Sequence, residues 1–210
     1  MRMLTHFTKM RRLFREKQKQ RNAIFRLFAT ILSVSFEVAS MFSPQLLSKD
    51  YFVRPLKKED IELLYRLCAR HTDYYRHLGK ALSKASLLHD LSSLPPGASS
   101  QNKHYLGYFD KDGQLVAVLE LIFAYPEEDC VLLGFFMMND ALQGQGIGSK
   151  LMKTLFEVCR KAGFKEILLS YAEGNRQSEH FWRKQGFLPT GDIDEEEDND
   201  VRLIAMSLLL

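Results

Sequence analysis

One α/β domain behind a basic N-terminal extension is the architecture that this 210-residue sequence predicts. Three observations carry the expectation. Strand-like and helix-like apolar patterns follow one another from about residue 51 to the end of the chain. The apolar fraction, 46%, is sufficient for a sizeable core. At the centre, the apolar run Cys130–Met138 leads into a loop with glycine at 144, 146 and 148, and then into an amphipathic helix.

The first 48 residues stand apart by charge. Nine Lys/Arg against Glu16 and Glu37 give a balance of +7, which leaves −4 for the remainder of a chain whose total is +3. The predicted body is thus mildly acidic, and the overall basic charge is no argument for a nucleic-acid partner. Residues 27–36 are an uncharged, mostly apolar run interrupted by Thr30, Ser33 and Ser35. Ten residues are too few to span a bilayer, which takes about 20. The segment is expected to be a poorly ordered extension, upstream of a start at Met41, or a basic amphipathic helix that touches membranes. A secretion signal is the third reading.

The body, residues 49–210, is read in order. Residues 51–55 form a short first strand. Lys58, Glu59 and Asp60 open a helix whose Ile61, Leu63, Leu64, Leu67 and Cys68 recur at helical spacing. A polar and aromatic stretch with His71, Asp73, Tyr74, Tyr75 and His77 follows, then a second helix over residues 84–91 and a Pro/Gly/Ser loop to residue 100. Lys103–Phe109 and residues 114–125 are strands joined through the Asp-Lys-Asp-Gly turn ending at Gly113. Strict alternation would place Val116, Val118, Glu120 and Ile122 on one face of the second, and Leu115, Ala117, Leu119, Leu121 and Phe123 on the other. Glu120 is the lone charge there, so it must be paired, protonated or turned to a cavity.

The central helix runs to about Ala162, with Leu151, Leu155, Val158 and Cys159 as its apolar stripe and Gly163 as its stop. Residues 166–171 are a strand, Gly186 and Phe187 close a helix and start a strand, and residues 201–210 are the final strand. Between the last two strands, residues 192–200 hold seven acids in nine positions, read as a solvated hairpin loop or as an attraction for a cationic substrate. Cys68, Cys130 and Cys159 have no paired spacing and fall in apolar patterns, which suggests reduced core thiols in a cytoplasmic protein. No Cys/His spacing resembles a metal site, and no repeat is visible.

Strand, glycine loop and helix N-terminus together make an anion site, most naturally for phosphate or pyrophosphate. Three patterns compete for it. A P-loop requires Gly-Lys-Ser/Thr, whereas Lys150 follows Ser149 and Gln143 holds the place of the first glycine. A dinucleotide fingerprint from Gly144 ends on Ser149, with Glu166 near the position of a ribose acid. Gln/Arg-x-x-Gly-x-Gly/Ala is met in full by Gln143, Gly146 and Gly148.

That third pattern resembles the pyrophosphate loop of the GNAT superfamily of N-acetyltransferases, which use acetyl-coenzyme A. A second stretch, from Asn175 through Ser178, Phe181 and Trp182 to Gly186-Phe187, resembles the family's Asn-x-x-Ala-x-x-Phe-Tyr-x-x-x-Gly-Phe signature. The two motifs stand in the family's order with a strand between them, and the resemblance covers residues 51–210. It implies a mixed, twisted sheet of six to seven strands flanked by helices on both faces. It also implies that the strands Cys130–Met138 and 166–171 splay apart to admit acetyl-coenzyme A.

By that resemblance, the chain is an N-acetyltransferase that moves acetyl from acetyl-coenzyme A to a primary amine of a small molecule or peptide. The pyrophosphate would lie on Gln143, Gly144, Gln145, Gly146, Ile147, Gly148 and Ser149. The pantetheine arm would run along Phe136, Met137 and Met138, beside Asn175, Ser178 and Trp182. The Met138 N–H would hold the thioester oxygen, and Glu120, or else Asp73, would take the amine proton. Many family members place a tyrosine where Trp182 stands, to protonate the departing thiolate. Tyr125 and Tyr171 are conceivable substitutes, and a degenerate acyl-coenzyme A-binding domain is the other reading of that departure. No metal is implied, a monomer or homodimer is compatible, and acetyl-coenzyme A points to the cytoplasm.

Overall fold

The computed structural model describes residues 42–196 and 201–210. The readings of residues 1–41 and of the acidic residues 197–200 lie outside that range. The framework is a seven-stranded sheet. Its strands are β1 (Phe52–Pro55), β2 (Lys103–Phe109), β3 (Leu115–Phe123), β4 (Cys130–Met138), β5 (Glu166–Ala172), β6 (Leu188–Glu196) and β7 (Val201–Leu209). They lie in the order β1-β2-β3-β4-β5-β7-β6. Every neighbouring pair is antiparallel except β4 and β5, so the sheet is mixed as the resemblance implies.

Among the described residues five α-helices cover the two faces: α1 (Ile61–Cys68), α2 (Thr72–His77), α3 (Lys84–Ser92), α4 (Ile147–Lys161) and α5 (Arg176–Lys184). On one face, Leu151, Met152, Leu155 and Cys159 of α4 and Trp182 of α5 pack on Ala117, Leu119, Leu121 and Phe123 of β3. On the other, Leu64, Leu67 and Cys68 of α1 and Leu87 of α3 pack with Tyr105, Val118 and Met137. Each helix buries one stripe and leaves its polar side to water, the amphipathic arrangement that the apolar spacing predicts. All three cysteines are free and buried.

Two irregularities correct the alternation expected of β3. The register with β2 shifts between Tyr108 and Phe109, so that Phe109 pairs with Leu115 but Tyr108 with Ala117. Val116 is the extra residue, and it lies in the α4 core while Leu115 lies in the α1 core. The two therefore exchange the faces that strict alternation assigns them, because a bulge adds one residue to one strand only. From Ala117 onward the alternation holds. A second shift, at Glu120 and Leu121, leaves Gly134 of β4 without a partner on β3.

The acidic run is also redrawn. Residues 192–196 are not loop but part of β6, where Glu195 and Glu196 pair with Arg202 and Val201 of β7. As the last strand of the sheet order, β6 has one free edge, and charge on such a strand discourages pairing with another chain.

Part of the stretch read as extension packs on the body. Residues 44–47 form a 3-10 turn whose Leu47 is fully buried. The Gln45 amide accepts from the Val53 N–H and donates to the carbonyls of Ser48 and Tyr51. The Phe42 ring meets His104 and Phe123 edge-on, each at 4.9 Å. No helix among the described residues is long and apolar enough to cross a membrane.

Candidate active site

The parallel pair β4 and β5 is joined only at Cys130/Glu166, Val131/Ile167 and Leu132/Leu168. Beyond Leu132 the two strands part, and a cavity of about 510 Å³ occupies the gap. Phe136, Met137 and Met138 form one wall, the loop and helix start from Asp140 to Ser149 another, and Asn175 to Lys184 a third. The turn from Arg70 to Tyr74 closes the far side. The Asn139 N–H is spent on Val116 of β3. Alternation along the strand therefore turns the N–H and C=O of Phe136 and Met138 toward the gap.

The loop has the features of an anion site. Gly144 and Gly146 have φ of 75° and 79°, a region that favours glycine, and a Cβ at either would meet no protein atom within 4 Å. Gly146 is the N-cap of α4, so the first N–H groups of a fifteen-residue helix face the cavity mouth. Gly148 serves a different end: a Cβ there would come within 2.8 Å of the Met138 sulfur, so its absence lets α4 lie close against β4. Lys150, the cation on which a P-loop reading depends, is paired with Asp50 at 2.7 Å and does not line the cavity. Glu166 starts β5 opposite Cys130, one full strand (roughly 27 Å) from the loop that follows Met138, which removes the dinucleotide reading.

Polar contacts tie the walls together. The Gln177 amide donates to Gln143 Oε1 at 3.1 Å, and Gln185 donates to Ser149 Oγ at 3.0 Å, so α5 is fastened to the loop and its C-terminal end to the first turn of α4. Asn175 caps α5 by accepting from the Ser178 N–H at 3.0 Å. Arg70 pairs with Asp140 at 2.9 Å, and His71 Nε2 donates to the Met138 carbonyl at 2.7 Å. Since a carbonyl only accepts, this bond places the ring proton on Nε2 and leaves Nδ1 as the acceptor in the neutral form.

Glu120 belongs to a second cavity, of about 380 Å³, on the side of the sheet covered by α1 to α3. Tyr74 lines both cavities. Glu120 Oε1 accepts from Lys103 Nζ at 2.6 Å, with the two side chains 13% and 6% exposed. Lys103 also donates to the carbonyls of Asp90 and Ser93, each at 2.6 Å, so its three N–H groups are all used. Burial pushes the Glu120 carboxyl above the usual carboxylate range, and the Lys103 ammonium opposes that rise. Glu120 Oε2 carries no hydrogen bond among the described residues and faces the space left by Gly134.

The residues named from sequence fall in both places. Phe136, Met137, Met138, Gln143, Gly144, Gly146, Ile147, Gly148, Ser149, Asn175, Ser178 and Trp182 line the first cavity, and Asp73 joins them. The Gln145 side chain turns back to the Ala141 carbonyl and lines neither. Trp182 is buried among Phe136, Phe181 and Phe187, a core contact as much as a cavity wall. Tyr125 and Tyr171 are buried and line neither cavity. Asp192 and Ile193 also line neither. Lys103, Gly134, Arg70 and Gln177 are the partners that sequence reasoning missed. Only Lys103 left a trace, as a cation two residues from the position opposite Glu120.

Residues 64–187 match the acetyltransferase (GNAT) family. The chain is 26% identical to the protein ElaA of Escherichia coli (strain K12) over 99 residues, which are 47% of this chain and 62% of that one. It therefore spans less than two thirds of that curated relative. Among solved structures it is similar to an acetyltransferase from Thermus thermophilus, with a TM-score of 0.59, 18% identity and coverage of 76% and 97% of the two chains. It is also similar to the spermidine N-acetyltransferase from Vibrio cholerae in complex with CoA and spermine, with a TM-score of 0.58, 16% identity and coverage of 77% and 96%.

Proposed function

The chain belongs to the acetyltransferase (GNAT) family, and on that premise we propose that it transfers acetyl from acetyl-coenzyme A to the primary amine of a small molecule. The observation that carries the reading is the parting of β4 from β5 with a glycine loop and helix N-terminus at its mouth. The open space over Gly144 and Gly146 fits a pyrophosphate, and the free edge of β4 fits an amide-bearing chain such as pantetheine. The spermidine enzyme in complex with CoA supports the same assignment.

In this reading the N–H groups from Gly144 to Ser149 bind the pyrophosphate, since the Gln143 N–H is spent on the Asp140 carbonyl and Gln143 contributes its side chain to the wall; Gln145 contributes only its main chain. The main-chain groups of Phe136 and Met138 orient the pantetheine arm, beside Asn175, Ser178 and Trp182. The Met138 N–H holds the thioester oxygen as charge gathers on it. An alkylammonium has a pKa near 10.4, so the amine must lose a proton before attack. Glu120, with its raised pKa and an Oε2 unbonded among the described residues, receives that proton directly or through water. The new N–C bond forms as the C–S bond breaks. The thiolate needs no dedicated acid, because a thiol of pKa about 8.5 is a tolerable leaving group, and solvent protonates it. A cytoplasmic setting, where thiols stay reduced, agrees with three free cysteines.

Trp182 in the tyrosine's place supports a second reading, an acyl-coenzyme A-binding domain without efficient catalysis. Calorimetric titration with acetyl-coenzyme A followed by thiol release against a panel of amines separates the two. Binding with amine-dependent thiol release is expected. Binding without release under any amine favours the second reading, and absence of binding overturns both.

A further inference from the structure

The second cavity has a composition of its own, and it bears on which amine is used. Four aromatic rings form a continuous wall. Tyr74 meets Tyr75 edge-on at 5.2 Å and Phe135 at 5.8 Å, and Phe135 stacks on Tyr105 at 6.2 Å. At the inner end lies the Glu120 carboxylate, one oxygen held by Lys103 and the other unbonded among the described residues. Gly134 keeps the space over that oxygen free of a side chain. Leu78 and Leu87 complete the apolar lining, and Asp90 is the other carboxylate there.

We infer that this cavity takes the body of a small monoamine with an aromatic or bulky apolar group, its ammonium resting on Glu120 Oε2; the inference rests on the acetyl-transfer reading above. The chemistry selects this class over two others. A polyamine places several ammonium groups along a flexible chain and needs an anion for each. Here Lys103 neutralises one Glu120 oxygen, and Asp90 is the one further carboxylate among the lining residues, so the walls offer no row of anions for several ammonium groups. A peptide N-terminus brings main-chain groups that need a strand edge or other backbone partners. Four of the lining residues are the aromatic rings already named, and the volume of about 380 Å³ suits a single compact molecule. Stacked and edge-on rings accept an aromatic body, and a ring face near an ammonium adds attraction. Tyr74 lines both cavities, so they adjoin, and Phe136 and Met138 present their main chain in the neighbouring one.

The test uses the full chain. Binding of 2-phenylethylamine to the protein is measured first by calorimetry, then kcat/KM by thiol release for 2-phenylethylamine, spermidine and a glycine-led pentapeptide. The arylalkylamine is expected to bind and to exceed the other two at least tenfold in kcat/KM. Ala81→Trp places a large side chain on an exposed, non-helical residue that lines this cavity alone. It should lower kcat/KM for 2-phenylethylamine at least tenfold while the acetyl-coenzyme A Kd stays unchanged. Spermidine or the peptide equalling the arylalkylamine, an inert Ala81→Trp, or no amine binding at millimolar concentration overturns the inference. Wild-type protein that binds no acetyl-coenzyme A overturns the acetyl-transfer reading instead, and the calorimetric amine result then decides the cavity's ligand independently.

Discussion

The Glu120 carboxylate stands directly against the place where Gly134 would carry a side chain. A Cβ on Gly134 would stand 2.9 Å from Glu120 Oε2 and 3.0 Å from Cδ. Gly134 is also the residue that the register shift leaves unmatched on β3, so the bulge and the carboxylate share one cause. Lys103 holds the opposite oxygen and prevents the group from swinging away.

Gly134→Ala is therefore expected to displace the carboxylate toward Lys103 while the fold persists. Overpacking of this kind costs about 1–3 kcal/mol. The expected outcome is at least about a tenfold fall in kcat/KM, within the range lost when a general base is impaired, with acetyl-coenzyme A affinity intact. Denaturant titration and calorimetry read the two effects separately.

The pH dependence of kcat/KM should follow Glu120. A base works deprotonated, so activity falls as pH drops through its pKa, and burial moves that acidic limb above the ordinary glutamate value of about 4.3. Glu120→Gln should lower the rate by about 10²–10⁴ and abolish the limb. A glutamine variant with the wild-type rate and limb would assign Glu120 a structural role only.

Lys103→Met removes the cation that opposes the burial effect, so the limb should move to still higher pH. An uncompensated buried charge costs about 3–5 kcal/mol. Urea titration at pH 7 is expected to show a loss of that order, smaller at pH 5 where the lone carboxyl takes up a proton.

Gly146→Asp tests the loop. Aspartate tolerates the left-handed conformation better than most residues and is a good N-cap, so the helix start should survive. Its charge stands in the open space proposed for the pyrophosphate. Acetyl-coenzyme A affinity should fall at least about tenfold, or ~1.4 kcal/mol, and unchanged affinity in the folded variant would remove the basis of the assignment.

The N-terminal boundary is testable by length. A chain beginning at Met41 keeps Phe42, Gln45 and Leu47, and should unfold as cooperatively as the full chain. One beginning at Lys49 loses the fully buried Leu47 and the contacts of the Phe42 ring. Losing one large buried apolar side chain costs about 2–5 kcal/mol, so its thermal midpoint should fall measurably.

Much of this architecture was legible in residue order. Lys103–Phe109 and Cys130–Met138 were readable as strands to the residue, because apolar runs bounded by turn signals need no partner to be recognised. Gly144 and Gly146 marked the turn into α4, because positive φ and a helix start are local demands that only a few residue types meet. The parting of β4 from β5 was foreseen only through the resemblance.

Tertiary structure decided the surroundings of Glu120. Counting back from the Asp110–Gly113 turn without a bulge sets His104 opposite Glu120. The extra residue at Val116 sets Tyr105 there instead, with Lys103 diagonal to the carboxylate and on its face. A one-residue slip reverses every side chain beyond it, and no local feature of residues 103–123 announces which register wins. The sequence alone thus determined that a lone acid lies in an apolar strand and must find a partner. That the partner is Lys103, that Gly134 makes room for the acid, and that aromatic rings from α2, β2 and β4 enclose it follow from contacts between segments far apart in the chain, whose packing selects the register.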